Sequence, residues 1–549
     1  MRIARLVGGA GTGKTTELLS IMDGALQQIK DPTLLGFASM TRAARAEGVA
    51  RASASWGIDP TVLSKRGWFR TIHSTVLRCL GDNAGSIISE SKADLGWLSN
   101  ALGVNLSTQL DDSFGHTKFI GCPITSAGLG CWALARSSLT PLYRVIKRAR
   151  SVDDNVPDYA KVVQLVERYE LAKRLDNRMD FDDLLMRFAG IHMSPRDEDV
   201  QSCAPIGDTP EVIAWLFDEQ QDASPLLDAV CKRLVSAPSV RWTYVVGDPF
   251  QSIYGFAGSS SKCFMQWDAE KERVMPKSWR CPKVILDLGE RCLRRMQNGN
   301  YFDRKIAPAD HTGTVEDVSG IDDLVQSVNP NEDWLLIART NYQATRLAAS
   351  LHNSSKPFRW TTQPTGITAA STGMRCLYDL EQGRHITGEQ WQAAMTLLPQ
   401  RDKDKKVFLV RGTKSMWSDS EVAKKWDVIW PDELEKVGAT TDLIESIKSS
   451  RWTSLVNGGQ QWRETAKKWG TDLACFPKVR VGTIHSVKGS EADNVGVLTT
   501  TSQTIERGMT DREQANEECR IAYVAVTRTR KNLYVVNEGR SGTPRMEIL

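Results

Sequence analysis

The chain has 549 residues, 41% hydrophobic and 25% charged, with a net charge of +4. This length exceeds a single hydrophobic core and points to roughly three or four domains. The near-neutral balance excludes a protein that coats nucleic acid by bulk charge, so any nucleic-acid site must be a local groove. Eleven cysteines occur singly, with no C-x-x-C pair, which argues against a zinc ribbon or iron–sulfur cluster and fits a reducing compartment. No apolar run approaches a membrane span, and the N-terminal MRIARLV runs into a glycine loop without a leader pattern. A cytoplasmic protein without membrane contact is expected.

In chain order, residues 2–7 predict a short buried strand. Gly8-Gly9-Ala10-Gly11-Thr12-Gly13-Lys14-Thr15 follows, and Leu18, Leu19, Met22 and Leu26 then mark a helix. This is G-x-x-x-x-G-K-[ST] between a strand and a helix, the setting its chemistry requires. Glycines such as Gly8, Gly11 and Gly13 let backbone amides curl around phosphate oxygens, and the helix N-terminus adds positive potential. Lys14 is expected to reach the outer phosphates and Thr15 to ligate Mg²⁺.

A phosphate loop needs acidic partners on a neighbouring strand. Val212 to Phe217 predict that strand, and Asp218-Glu219-Gln220-Gln221-Asp222 follow it. At a strand's C-terminal edge Asp218 can hold the Mg²⁺ shell while Glu219 polarises the attacking water. A further strand, Trp242 to Val246, ends in Gly247-Asp248-Pro249-Phe250-Gln251-Ser252-Ile253-Tyr254-Gly255-Phe256. Gln251 suits a relay between a terminal phosphate and a base. Tyr254 and Phe256 read equally as base-stacking platforms or as core residues.

Together the glycine loop, D-E-x-Q-D and G-D-x-x-Q-S-I-Y resemble motifs of the superfamily 1 helicases of the UvrD/Rep/PcrA type. The remaining family motifs have counterparts in the same order. Ala38-Ser39-Met40-Thr41-Arg42 and Thr71-Ile72-His73-Ser74 are similar to its first single-strand-contacting segments, which implies DNA contacts for Thr41, Arg42 and His73. Ser278-Trp279-Arg280-Cys281-Pro282 implies an adenine-stacking Trp279 and an arginine finger at Arg280. Arg339-Thr340-Asn341, after the strand Trp334 to Ala338, implies DNA-facing roles for Arg339 and Asn341.

Near the C-terminus, Val481-Gly482-Thr483-Ile484-His485-Ser486-Val487-Lys488-Gly489-Ser490-Glu491 implies Thr483 and His485 near DNA phosphates and Glu491 near the ribose. Residues 517–528 resemble the last motif, which makes Arg528 a second arginine finger. The forms T-I-H-S-V-K-G and D-E-x-Q-D imply 3′→5′ movement. By the same resemblance ATP and Mg²⁺ are the cofactors. The partners are single-stranded DNA and single/double-strand junctions, with replication or repair proteins as candidates.

Departures concern the base and the DNA channel. The upstream glutamine motif that reads adenine has no counterpart, and Thr16 stands where the family often has arginine beside the base. Phe256-Ala257-Gly258 replaces the usual aromatic-Arg-Gly, and Gln220 replaces a more commonly apolar residue.

The expected fold class is α/β. It comprises two RecA-like doubly wound P-loop domains, each interrupted by a mainly helical insertion. The first motor domain takes residues 1–84 and 186–277, with 85–185 inserted. The second takes 278–365 and 476–549, with 366–475 inserted. The first insertion closes on Met179-Asp180-Phe181-Asp182-Asp183, and its Arg144, Lys147, Arg148 and Arg150 form either a nucleic-acid patch or a solvated helix face. The second is rich in tryptophan (Trp391, Trp417, Trp426, Trp430, Trp452, Trp462 and Trp469), expected mostly in the core. Two rivals to a helicase stay open: a translocase that displaces proteins with little unwinding, and a P-loop regulatory NTPase that does no motor work.

Overall fold

The computed structural model describes residues 2–40, 42–89, 91–111, 116–120, 123–152, 156–297, 301–363, 367–403, 405–539 and 543–548, without the side chains of 42–44, 107–111, 116–120 and 123. Its frame is two six-stranded sheets. The first contains β1 (Arg2–Val7), β2 (Leu35–Ser39), β3 (Trp68–Thr71), β4 (Ala214–Phe217), β5 (Trp242–Gly247) and β6 (Lys271–Val274). They lie in the order β6-β1-β5-β4-β2-β3, every pair parallel. Parallel strands covered on both faces are continuous apolar runs, as in the fully buried Ala214-Trp215-Leu216-Phe217. The order matters for chemistry, because β1, β5 and β4 are neighbours and their C-terminal ends converge on one crevice.

Helix α1 (Lys14–Ile29) follows β1. The first insertion contributes α2 (Pro123–Ser137), α3 (Leu142–Val152), α4 (Tyr159–Leu175) and α5 (Phe181–Ala189). Its apolar residues, such as Trp132, Val162 and Leu184, belong to the same buried cluster as Val7, Trp215 and Phe217 of the first sheet. A charged knot fixes the junction. Arg136 meets Asp180, Asp182 and Asp183 at 2.9–3.2 Å, and Lys173 meets Glu170, Asp180 and Asp183 at 2.7–3.0 Å. Asp180 and Asp183 also form the capping box that starts α5. On α3, Arg144, Lys147, Arg148 and Arg150 occupy a solvated face, and Arg148 reaches Asp511 at 2.8 Å.

After β6 the chain forms α6 (Lys283–Arg294) and enters the second sheet. Its strands are β7 (Thr314–Val318), β8 (Trp334–Ala338), β9 (Arg359–Trp360), β10 (Val479–Thr483), β11 (Ala492–Leu498) and β12 (Thr529–Val536). The order is β7-β12-β11-β8-β10-β9, again all parallel. Helices α7 (Asn341–Asn353) and α8 (Arg512–Val526) carry two of the motifs read from the sequence. The second insertion has its own core around Trp391, Trp417 and Trp452, with Trp462 also buried, whereas Trp430 is largely exposed. One apolar cluster crosses from Ala10, Phe250, Ile253 and Tyr254 to Ile285, Leu288, Val497 and Val524, so the two sheets share a packed seam. Among the described residues no helix is long and apolar enough to cross a membrane.

Candidate active site

The glycine loop is pinned at its base by the Gly8 amide, which donates to the Gly247 carbonyl at 3.0 Å. Gly11 and Gly13 have φ of +68° and +83°, a left-handed region that Cβ-bearing residues avoid. At Gly11 a side chain is excluded twice over, since a Cβ there would lie 2.3 Å from the Arg280 Cβ. No side chain caps α1 at Gly13, so the first-turn amides are offered to an anion together with the helix dipole. Lys14 Nζ donates to the Gly8 and Gly9 carbonyls at 3.1 and 3.3 Å. Thr15 is half-buried in that first turn, and Thr16 is exposed beside it.

Asp218 and Glu219 stand at the end of β4. Glu219 has φ of +54°, a sparsely populated conformation for a residue with a Cβ and one that concentrates at functional sites. The Gln221 amide donates to the Glu219 carboxylate, and its carbonyl oxygen accepts from the Asp248 amide at 3.0 Å, which ties the ends of β4 and β5 together. Burial, and then the Glu219 charge, push Asp218 up to about 7. Burial also acts to raise Glu219, but Lys14, Lys488 and the Gln221 hydrogen bond outweigh it and hold the carboxyl below its ordinary value. A buried and a half-buried carboxylate, together with the Thr15 hydroxyl in the first turn of α1, are a hard oxygen donor set that would fit a divalent cation. Gln251 is buried just after β5, and among the described residues its Nε2 has no hydrogen-bond partner.

The second half of the site arrives across the seam. Ser278 Oγ donates to the Ala10 carbonyl at 2.8 Å, and the Trp279 amide donates to the Gly11 carbonyl at 2.8 Å. These bonds set the 278–282 loop on the glycine loop. Trp279 is 67% exposed, lies 3.9 Å from where a Gly13 Cβ would stand, and carries the Lys277 ammonium 4.7 Å from its ring centre. It therefore presents a free aromatic surface at the mouth of the crevice. Arg280 Nη1 donates to the Thr527 carbonyl at 3.3 Å, and its Nε pairs with Glu491. Glu491, expected near the ribose, here forms the ion pair that aims Arg280. Arg528 is buried, with Nε on the Val524 carbonyl, Nη1 on the Ser490 carbonyl and, among the described residues, no partner for Nη2. Burial, and then Arg280, push it down to about 10, so it stays charged at neutral pH.

The face expected to meet nucleic acid differs from its sequence reading at several positions. Phe256 is 54% exposed, but Tyr254 is only 4% exposed, with its hydroxyl donating to the His485 carbonyl at 3.2 Å and Lys488 over its ring. Tyr254 is a seam residue and not an open stacking platform, because Lys488 and the 485 turn pack over it. Arg339 makes a two-pronged ion pair with Glu518, at 2.7–3.2 Å, so its charge is matched within the protein. His485 Nε2 donates to the Ile253 carbonyl at 3.1 Å; burial, and then Arg339, push its imidazole down to about 3. A neutral ring engaged this way offers no cation. His73 packs edge-on to Phe181, 5.8 Å between ring centres. Thr483 accepts from the Ser486 amide at 3.2 Å, closing its own turn. Asn341 is exposed at the start of α7, and Tyr342 beside it is 75% exposed, a surface aromatic that no motif marked. Thr41 and the Arg42 side chain lie outside the described residues.

Sequence reasoning also missed Lys488. Its ammonium contacts both Asp222 oxygens at 2.6 Å, with both side chains nearly buried, and donates to the Gln251 carbonyl. Both residues stood inside quoted motifs, and charge complementarity between an otherwise unassigned lysine and aspartate was the available signal.

The sequence matches the UvrD/REP helicase N-terminal domain over residues 3–272 and the UvrD-like helicase C-terminal domain over residues 463–538. A Bacillus subtilis (strain 168) protein, YjcD, described only provisionally as an ATP-dependent DNA helicase, is 22% identical over 456 residues. That match takes in 68% of this chain, and it spans 57% of the relative's length.

Proposed function

The chain belongs to the UvrD/Rep family of superfamily 1 helicases, and from that premise we propose that it is a DNA-dependent ATPase that moves 3′→5′ along single-stranded DNA and separates strands at a junction. The observation that carries the reading is the seating of Ser278, Trp279 and Arg280 on the glycine loop. It brings a second domain's cations against the first domain's phosphate site. Lys14 and the uncapped amides of α1 bind the phosphates, and Trp279 supplies a platform for the base. Thr15 and Asp218 would hold Mg²⁺, which when bound neutralises phosphate charge. Glu219, kept ionised by Lys14, Lys488 and Gln221, orients water and accepts its proton. Arg280 and Arg528 stabilise charge on the transferring phosphoryl group. Loss of the terminal phosphate weakens the attraction between the halves, and the seam relaxes. Gln251 and Lys488 join the crevice to the Tyr254–His485 turn, beside the exposed Phe256. Seam movement therefore alters the grip on a base.

Strand displacement on 3′-tailed and 5′-tailed duplexes, with Glu219→Gln as the inactive control, tests the proposal. Unwinding from the 3′ tail alone is expected. Unwinding from the 5′ tail alone would overturn the polarity. DNA-stimulated hydrolysis without strand separation would identify a translocase, and hydrolysis indifferent to DNA would identify a regulatory NTPase.

A further inference from the structure

Behind the glycine loop lies a buried polar cluster that hydrolysis chemistry does not use. Arg304, between α6 and β7, has no exposed side-chain surface, and neither has Asp248 at the end of β5. Arg304 Nη1 donates to Asp248 Oδ1 at 2.6 Å, and Nη2 donates to Glu290 Oε1 at 2.6 Å. The guanidinium lies between two rings, 4.6 Å from the centre of Phe250 and 5.1 Å from that of Tyr523. The Tyr523 hydroxyl donates to the second Asp248 oxygen at 3.3 Å and accepts from the Ala10 amide at 3.1 Å. The fit is close, since a Cβ on Gly9 would sit 2.5 Å from Ile306 Cδ1 and 3.4 Å from both Arg304 Nη1 and the Tyr523 hydroxyl.

The cluster joins two bodies. Ala10 and Asp248 extend from strands of the first sheet, whereas Glu290 and Tyr523 lie on α6 and α8 and Arg304 on the way into the second sheet. A buried arginine charge is tolerated only when it is compensated; two carboxylates take Nη1 and Nη2 and two rings flank the guanidinium, while Nε has no hydrogen-bond partner among the described residues. Burial, against the pull of Arg304, pushes the Tyr523 phenol up, so the hydroxyl keeps its proton and can serve Asp248 and Ala10 together. In a phosphate loop the backbone amides converge on the anion. The Ala10 amide instead points at a residue of the other domain, so the loop's curvature has a fixed point outside its own sheet.

We propose that Arg304 is a positioning residue for the phosphate loop. Through Asp248 it holds the Tyr523 hydroxyl on the Ala10 amide, so the loop's nucleotide-ready shape depends on closure of the second domain. The inference rests on the reading of Gly8–Thr15 as a nucleotide site, but not on motor activity. It predicts an effect on nucleotide binding, with the chemical step altered less.

The test is titration of a fluorescent N-methylanthraniloyl-ADP into the full chain, alongside kcat and KM for ATP, single-stranded DNA affinity and the melting temperature. Tyr523→Phe keeps the ring and removes the hydroxyl. Its dissociation constant and KM are expected to rise about tenfold, the loss typical of one buried donor left unpaired, while kcat falls by less and DNA affinity holds. Arg304→Met should show the same split, and Arg304→Lys, which retains a charge for Asp248, should recover part of it. The two positions should be non-additive in Tyr523→Phe/Arg304→Lys, because they act through one contact. Wild-type nucleotide affinity in folded Tyr523→Phe would overturn the proposal, as would a lower melting temperature with unchanged KM. Wild-type protein that binds no nucleotide would overturn the nucleotide-site reading itself, and binding without DNA stimulation would overturn only the motor.

Discussion

The nucleotide crevice and the face assigned to nucleic acid border the same seam but use their charges differently. In the crevice, Lys14 and Arg528 act on the Asp218–Glu219 pair with Arg280 beside Arg528, and among the described residues buried donors on Gln251 and Arg528 have no hydrogen-bond partner. Such an arrangement is poised for a polyanion with a metal ion. On the face, Arg339 is matched by Glu518, His485 is neutral and Tyr254 is covered. What it exposes is Phe256, Asn341 and Tyr342. Under the proposed function, the contrast assigns phosphate charge to the crevice and leaves the face to grip through exposed rings and hydrogen bonds.

Substitutions at matched positions can break this comparison. The largest effect is expected for Glu219→Gln, which removes the base. Hydrolysis should fall by about 10²–10⁴-fold with nucleotide affinity kept, as read by phosphate release and by nucleotide titration; substantial residual turnover would remove Glu219 from the chemistry. Next comes Lys488→Met, which strands Asp222 as a buried unpaired carboxylate beside Tyr254. A loss of about 3–5 kcal/mol is expected in denaturant unfolding, and an unchanged midpoint would show that the pair does not hold the seam.

Smaller effects sharpen the contrast on the face itself. Phe256→Ala should weaken single-stranded DNA by about 1–3 kcal/mol, whereas Tyr254→Phe, a covered ring losing only its seam hydrogen bond, should change fluorescence-anisotropy affinity less. The reverse ranking would restore Tyr254 as the platform. The smallest effect per step is with pH. His485 in the folded chain is depressed from 6.5 to about 3, so between these values the unfolded chain takes up a proton that the folded chain refuses. Stability contributed by the neutral ring is full above 6.5 and is lost as pH falls below it, by about 1.4 kcal/mol per unit. His485→Gln should remove that part of the acid slope, and equal slopes would show a ring open to solvent.

The crevice was legible because its groups sit at strand ends. Once residues 2–7, 212–217 and 242–246 are read as buried strands, parallel pairing brings Lys14, Asp218, Glu219 and Gln251 together by backbone alone. The fold class followed from the same alternation of strand and helix. Legibility failed where a side chain's partner lies far along the chain and across the seam. Nothing near Arg339 announces Glu518, and nothing near Tyr254 announces the 485 turn. Glu491 was placed by resemblance at the ribose, yet a carboxylate this close to Arg280 pairs with it. Arg304 carries no motif, and its place between the Phe250 and Tyr523 rings emerges only in the packed fold. Tyr342 is the opposite case, a surface aromatic beside a residue that the motif did mark.

The central claim is that one seam links ATP hydrolysis to single-stranded DNA, and steady-state ATPase measured with and without a single-stranded oligonucleotide tests it most directly. The account predicts that DNA raises turnover by at least about tenfold in the wild type, a factor equivalent to about 1.4 kcal/mol of transition-state stabilisation, and that Glu219→Gln abolishes both rates. Turnover that is unchanged by DNA, in protein that binds the oligonucleotide, would contradict it.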